Sequence, residues 1–127
     1  MSSVYARRSG TKRGYPVKAS TTIQASEPVF LLAGFAVPLA GADDSAKFCG
    51  VSTFVVESSG VDGEMTVEVE HQQFALKNGG DIAPADVGEM AYFSDIYTVT
   101  KDSTAHPAAG TIAQLEGDWV WIIPAVA

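Results

Sequence analysis

EMTVEVEH, residues 64–71, decides how this chain is read. Apolar Met65, Val67 and Val69 alternate there with Glu64, Thr66, Glu68 and Glu70. Successive side chains of a strand point to opposite faces, so a period of two marks a strand with one face buried and one in water. A helix would need apolar residues three and four apart. No stretch of ten residues in the chain shows that spacing convincingly.

Towards the C-terminus the apolar parity changes. Phe74 and Leu76 are even-numbered where Met65, Val67 and Val69 are odd. One residue out of step predicts a bulge or sharp bend near Gln72 and Gln73. Residues 78–88 (NGGDIAPADVG) read as a loop holding one helical turn that opens near Pro84. Residues 90–93 and 97–100 are expected to pair across 94–96. Residues 111–116 and 119–123 flank Gly117-Asp118, a two-residue hairpin signal in which Gly supplies the positive φ of a type II′ turn.

Towards the N-terminus, residues 48–57 (FCGVSTFVVE) read as one strand followed by an SSGVDG turn. Residues 40–46 form a loop. Residues 29–32 and 35–39 flank a tight turn at Ala33-Gly34, and Pro38 puts the second of these strands at a sheet edge. Eight or more short strands at this spacing predict an all-β fold, a small β-barrel or β-sandwich of antiparallel strands.

With 127 residues the chain fits one domain. Its charge is unevenly distributed. All 15 acidic residues follow position 20, whereas five of the 8 basic ones (Arg7, Arg8, Lys12, Arg13 and Lys18) precede it. The first twenty residues therefore carry +5 and the remainder −12, which gives the net −7. This divides the chain into a basic extended N-terminal arm, residues 1–20, and a β domain, residues 21–127. The arm has no apolar core of the kind a secretory signal needs. The longest apolar stretch, residues 28–40, is too short to span a bilayer and is broken by Gly34 and Pro38.

Candidate chemistry is sparse. Cys49 is the one cysteine, so no intrachain disulfide forms, and its apolar neighbours predict a buried, inert thiol. His71 extends the Val67/Val69 face, and His106 precedes Pro107 in a loop. No spacing brings the two histidines together with carboxylates as a metal site would need. Glu64, Glu68 and Glu70 share one strand face, the ordinary pattern of a solvated surface. Phosphate-loop, zinc and serine-nucleophile motifs are lacking, so neither catalysis nor a cofactor is expected. Trp119 and Trp121 lie on one face of the last strand. Core packing is the ordinary reading, with a subunit contact as the alternative and ligand stacking third.

Three stretches resemble the head decoration, or capsid cement, proteins of tailed bacteriophages. They are GVSTFVVESSGVDGEMTVEVEHQQFAL (50–76), DIAPADVGEMAYFSDIYTVTKD (81–102) and AAGTIAQLEGDWVWI (108–122). The likeness rests on the Val61-Asp62-Gly63 turn with its following V-x-V strand, on ADVG with Tyr92, on residues 98–101, and on AAGT leading to the terminal W-V strand. It covers roughly residues 28–123. The resemblance implies a non-catalytic virion protein, made in the host cytoplasm. It would bind the outer face of the icosahedral capsid and bridge adjacent major capsid protein subunits. It also implies a homo-oligomer, with a trimer favoured and a dimer as the alternative.

The arm departs from many short relatives, so its role is argued from charge alone. A +5 arm on a −12 body suits an acidic protein surface better than nucleic acid, which the body would repel. Arg7, Arg8, Lys12, Arg13, Tyr15 and Lys18 are therefore expected to hold a neighbouring subunit or the capsid. Trp119, Trp121 and Phe35 are the candidate oligomer contacts. No nucleic acid or membrane partner is expected. The rival reading is a β-rich adhesion or ligand-binding module of a virion, built on the two Trp residues or on exposed loops.

Overall fold

The computed structural model describes residues 10–126. The first strands are β1 (Lys12–Pro16), β2 (Thr22–Ile23), β3 (Pro28–Leu32) and β4 (Phe35–Pro38). Next come β5 (Lys47–Ser52), β6 (Val56–Glu57), β7 (Thr66–Glu70) and β8 (Phe74–Asn78). The last four are β9 (Met90–Asp95), β10 (Thr98–Thr100), β11 (Ala108–Glu116) and β12 (Trp119–Pro124). Two single turns of 3-10 helix, Leu39–Gly41 and Pro84–Asp86, complete the regular structure of the described residues. The fold is all-β, as the alternating pattern predicts.

Pairing arranges these strands into two rings. β11, β12, β8, β10 and β9 pair in that order, and β9 returns to β11, which closes the first ring. β4, β3, β5, β7 and β1 pair in order as a second run. Val17, just past β1, bridges back to Ala36 in β4, and the Lys18 N–H donates to the Ala36 carbonyl at 3.1 Å. These contacts close the second ring and leave β1 without a fully open edge. β5 joins the rings through a parallel contact with β11. β2 and β6 form a separate two-stranded sheet.

Two apolar clusters fill this frame. Phe30, Phe48, Phe93, Ile112, Val120 and Ile122 belong to the first, and Val17, Ile23, Val29, Cys49, Val67 and Val69 to the second. Strands β3, β4 and β5 serve both. Along β3, Val29 enters the second cluster and Phe30 the first. Along β5, Cys49 enters the second and Phe48 the first. Two-sided burial explains why residues 28–30 and 48–50 lack alternation: water reaches neither face. Phe30 and Phe48 both meet the Phe93 ring edge-on, with centroids 5.1 and 5.0 Å away. Such contacts add about 0.5–1.5 kcal/mol each beyond area burial.

The parity change after residue 70 has a clear cause. The chain bends at Gln72, β7 having paired with β1 and β5, while β8 pairs with β12 and β10. Val67 and Val69 serve the second cluster, whereas Phe74 and Leu76 pack on the first. The tight turn at Ala33-Gly34 has positive φ at both residues, and Gly117 has a φ of 59° in the last hairpin.

Four expectations change. The sheet is mixed, because β10 runs parallel to β8 within the first ring and β11 runs parallel to β5 where the rings join. Residues 48–57 split into β5 and β6, since Thr53 turns to bond Glu68 of β7 while Ile23 and Val56 pair elsewhere. The β9–β10 turn centres on Ile96 and Tyr97. Residues 12–17 are no separate arm. Lys12–Pro16 form β1 and Val17, just past it, joins the core, so this part of the expected arm is built into the domain.

Gly110 allows the closest approach in the first ring. Its φ is 145°, and a Cβ there would overlap the Ile123 carbonyl oxygen on β12. Gly110→Ala is expected to lower stability by about 3 kcal/mol or more in urea unfolding. An unchanged midpoint would show that β12 has room to move away.

Candidate interaction surfaces

The basic segment and the acidic strand meet within one chain. β1 and β7 are antiparallel, with Lys12 opposite Glu70 and Gly14 opposite Glu68. The Lys12 ammonium lies 2.9 Å from Glu70 and 3.6 Å from Glu68. Thr11 Oγ1 donates to Glu70 at 2.7 Å, and Gln72 Nε2 donates to the same carboxylate at 3.1 Å. The hydrogen bonds from Lys12, Thr11 and Gln72 bring the Glu70 carboxyl down to about 2. The same contact with Glu70, helped by Glu68, raises the Lys12 ammonium above its ordinary value.

Lys12 was expected to reach an acidic partner. Its carboxylates belong instead to its own chain, because β1 is laid alongside β7 by the register. The Arg13 guanidinium donates to the carbonyls of Gly10 and Lys12. Tyr15 packs against the second cluster, and Lys18 lines a surface cavity of about 410 Å3 with Thr21, Val37 and Pro38. Arg7 and Arg8 lie outside the described residues. His71, which follows β7, links the residue before β1 to the segment after β12. Its backbone N–H donates to the Thr11 carbonyl, and its ring Nε2 lies 2.7 Å from the Val126 carbonyl.

The second surface is the outside of the first ring. Inward-facing Val120 and Ile122 are buried, so Trp119, Trp121 and Ile123 occupy the other face of β12. Trp119 is 51% exposed and is therefore not core. Trp121 is half-buried, and its Nε1 donates to Glu116 at 3.4 Å. Phe35 is on β4 of the other ring, in contact range of Gly63, so the three candidate oligomer residues do not share a face. Phe54 and Tyr97 read as strand residues in the sequence, yet both are exposed. In a β-rich run an apolar residue reads as core, and only the position of the turns exposes these.

The titratable groups sit in separate surroundings. Cys49 is buried, its Sγ lies 3.3 Å from the Val29 carbonyl, and burial pushes the thiol up to about 12. Asp43, Asp95 and Asp102 accept hydrogen bonds from Ser45, Tyr97 and Thr104 two residues on, and these bonds hold their carboxyls below the usual range. Among the described residues, no group of three or more His, Cys, Asp or Glu could hold a metal ion, and no helix is long and apolar enough to cross a membrane. No protein-family model, curated protein or solved structure matches this chain.

Two outcomes follow from these environments. Glu70 titrates below its ordinary 4.5 in the folded chain. Its pairing therefore contributes fully above that value and is lost as pH falls towards about 2. Glu70→Gln should flatten the decline of the thermal midpoint across this window, and parallel declines for the two proteins would show that the Glu70 pairing with Lys12, Thr11 and Gln72 contributes nothing. Cys49 should resist a thiol reagent at pH 8 until denaturant is added. Rapid labelling of the folded chain would contradict its burial.

Proposed function

We propose that this chain is a capsid decoration protein, a non-catalytic module that binds the outer face of an icosahedral phage head and bridges adjacent major capsid protein subunits. The observation that carries this reading is where the resembling stretches fall. Residues 50–76, 81–102 and 108–122 supply most of β5 through β12, so the likeness follows the framework strands and not one loop. The described surface supports a binding role. Phe54, Val61, Tyr97 and Trp119 are large apolar side chains in water, and such residues anchor protein contacts. Several modest contacts made at once to a repeating shell raise the effective affinity without any one being strong. In this reading the protein is made in the host cytoplasm and ends on the outside of the virion.

The arm's contribution narrows to the segment before β1. Removing residues 2–13 would cut into β1 and take the Lys12–Glu70 contact with it. Removing residues 2–9 leaves β1 whole and deletes Arg7 and Arg8. Full-length protein added to purified undecorated capsids should bind at fixed stoichiometry and raise their temperature of disruption. The shortened chain should show lower occupancy. Failure of the full chain to bind would refute the capsid reading, whereas equal occupancy for both would refute only the arm's part in it.

A further inference from the structure

One row of residues crosses the outside of the first ring. Asp95 is opposite Thr98, Thr98 opposite Lys77, Lys77 opposite Trp119, and Trp119 opposite Glu116. Residues directly opposite on neighbouring strands project from the same face. The exposed indole of Trp119 is thus flanked by an exposed cation on β8 and an exposed anion on β11. Strand spacing sets the backbones of Lys77 and Glu116 about 10 Å apart, with the indole between them. Among the described residues neither joins an ion pair. Asp95, two positions from Lys77 on the side away from Glu116, accepts the Tyr97 N–H at 2.8 Å and also feels the Lys77 charge.

We propose that this face binds the same face of a second copy of the chain, about a two-fold axis that runs along β12 through Trp119. Such an axis reverses each row left to right and lays it on itself. Lys77 then faces Glu116 of the partner subunit, Glu116 faces Lys77 of the partner subunit, and the two Trp119 rings meet at the centre. The neighbouring row, Ala75–Trp121–Gln114, carries no charge and meets its own copy without repulsion. A two-fold axis across the strands would instead set Lys77 against Lys77, and charge opposes it. An isologous contact with a central aromatic and a charged rim has the composition that stable interfaces favour. The charge pattern selects a second copy over a neutral saccharide, which would need the indole but not two opposite charges beside it. It also selects a dimer over the trimer favoured by resemblance, because a three-fold contact does not lay this row on itself. The inference stands on the row and does not depend on the capsid reading.

Sedimentation velocity on the full chain, without capsids, tests it. The dimer fraction should rise with protein concentration and fall with added salt. K77E and E116K should each weaken association at least about tenfold, because each places like charges together twice across the axis. The double swap K77E/E116K should return the dissociation constant to within about threefold of the original, since the complementarity is restored. All three positions are exposed, and thermal midpoints report whether each variant is folded. W119S should abolish association without altering the charges, which covers a reversal that fails to fold. A monomer at every concentration would overturn the proposal. So would an oligomer indifferent to both single reversals, or a double swap as weak as the singles. Saccharide binding by a chain that stays monomeric, lost in W119S, would assign the face to a glycan instead.

Discussion

Burial of β3, β4 and β5 on both faces is the constraint on which the rest of the molecule depends. A strand with water on neither side must find apolar partners in two directions. Val29 and Cys49 look one way, and Phe30 and Phe48 look the other. Each direction then needs its own wall of strands. β7 and β1 supply one wall, and β8 to β12 supply the other. The fold is therefore two rings sharing a seam, and a chain of 127 residues can afford two small cores because the seam serves both.

This arrangement explains where the charges lie. Once β1 is needed to close the second ring, Lys12 must lie beside Glu68 and Glu70. The segment that stands out in composition as a detached basic arm is in part an internal strand. Its Lys12 is neutralised at home. On the first ring, closure forces every strand to present an outer face. Trp119 then comes to the surface because Val120 and Ile122 claim the inside.

The legible parts of the fold share a local cause. The alternation of residues 66–70, the glycines of the two tight turns and the proline that opens the 3-10 turn at Pro84 each act over a few residues, so they can be read in order, although Met65, read with them, is exposed just outside β7. The bend at Gln72 was legible for the same reason, as a break in parity. The candidate surfaces were harder to read. Trp119 and Trp121 stood out by type, yet whether they faced core or solvent depended on which side of β12 met the ring interior. Lys77 and Glu116 drew no attention, because they lie 39 positions apart in the chain and only pairing through β12 puts them in one row.

By itself, then, the sequence determined the all-β class, most of the strands and turns, the inertness of Cys49 and the polarity of charge along the chain. These follow from side-chain chemistry and short-range periodicity. The tertiary structure alone decided that β1 belongs to the sheet, that a parallel contact between β5 and β11 joins the rings, and which residues stand together on the outside. Those outcomes depend on long-range register. Register is set by many weak pairings acting at once, and no single stretch of sequence records it.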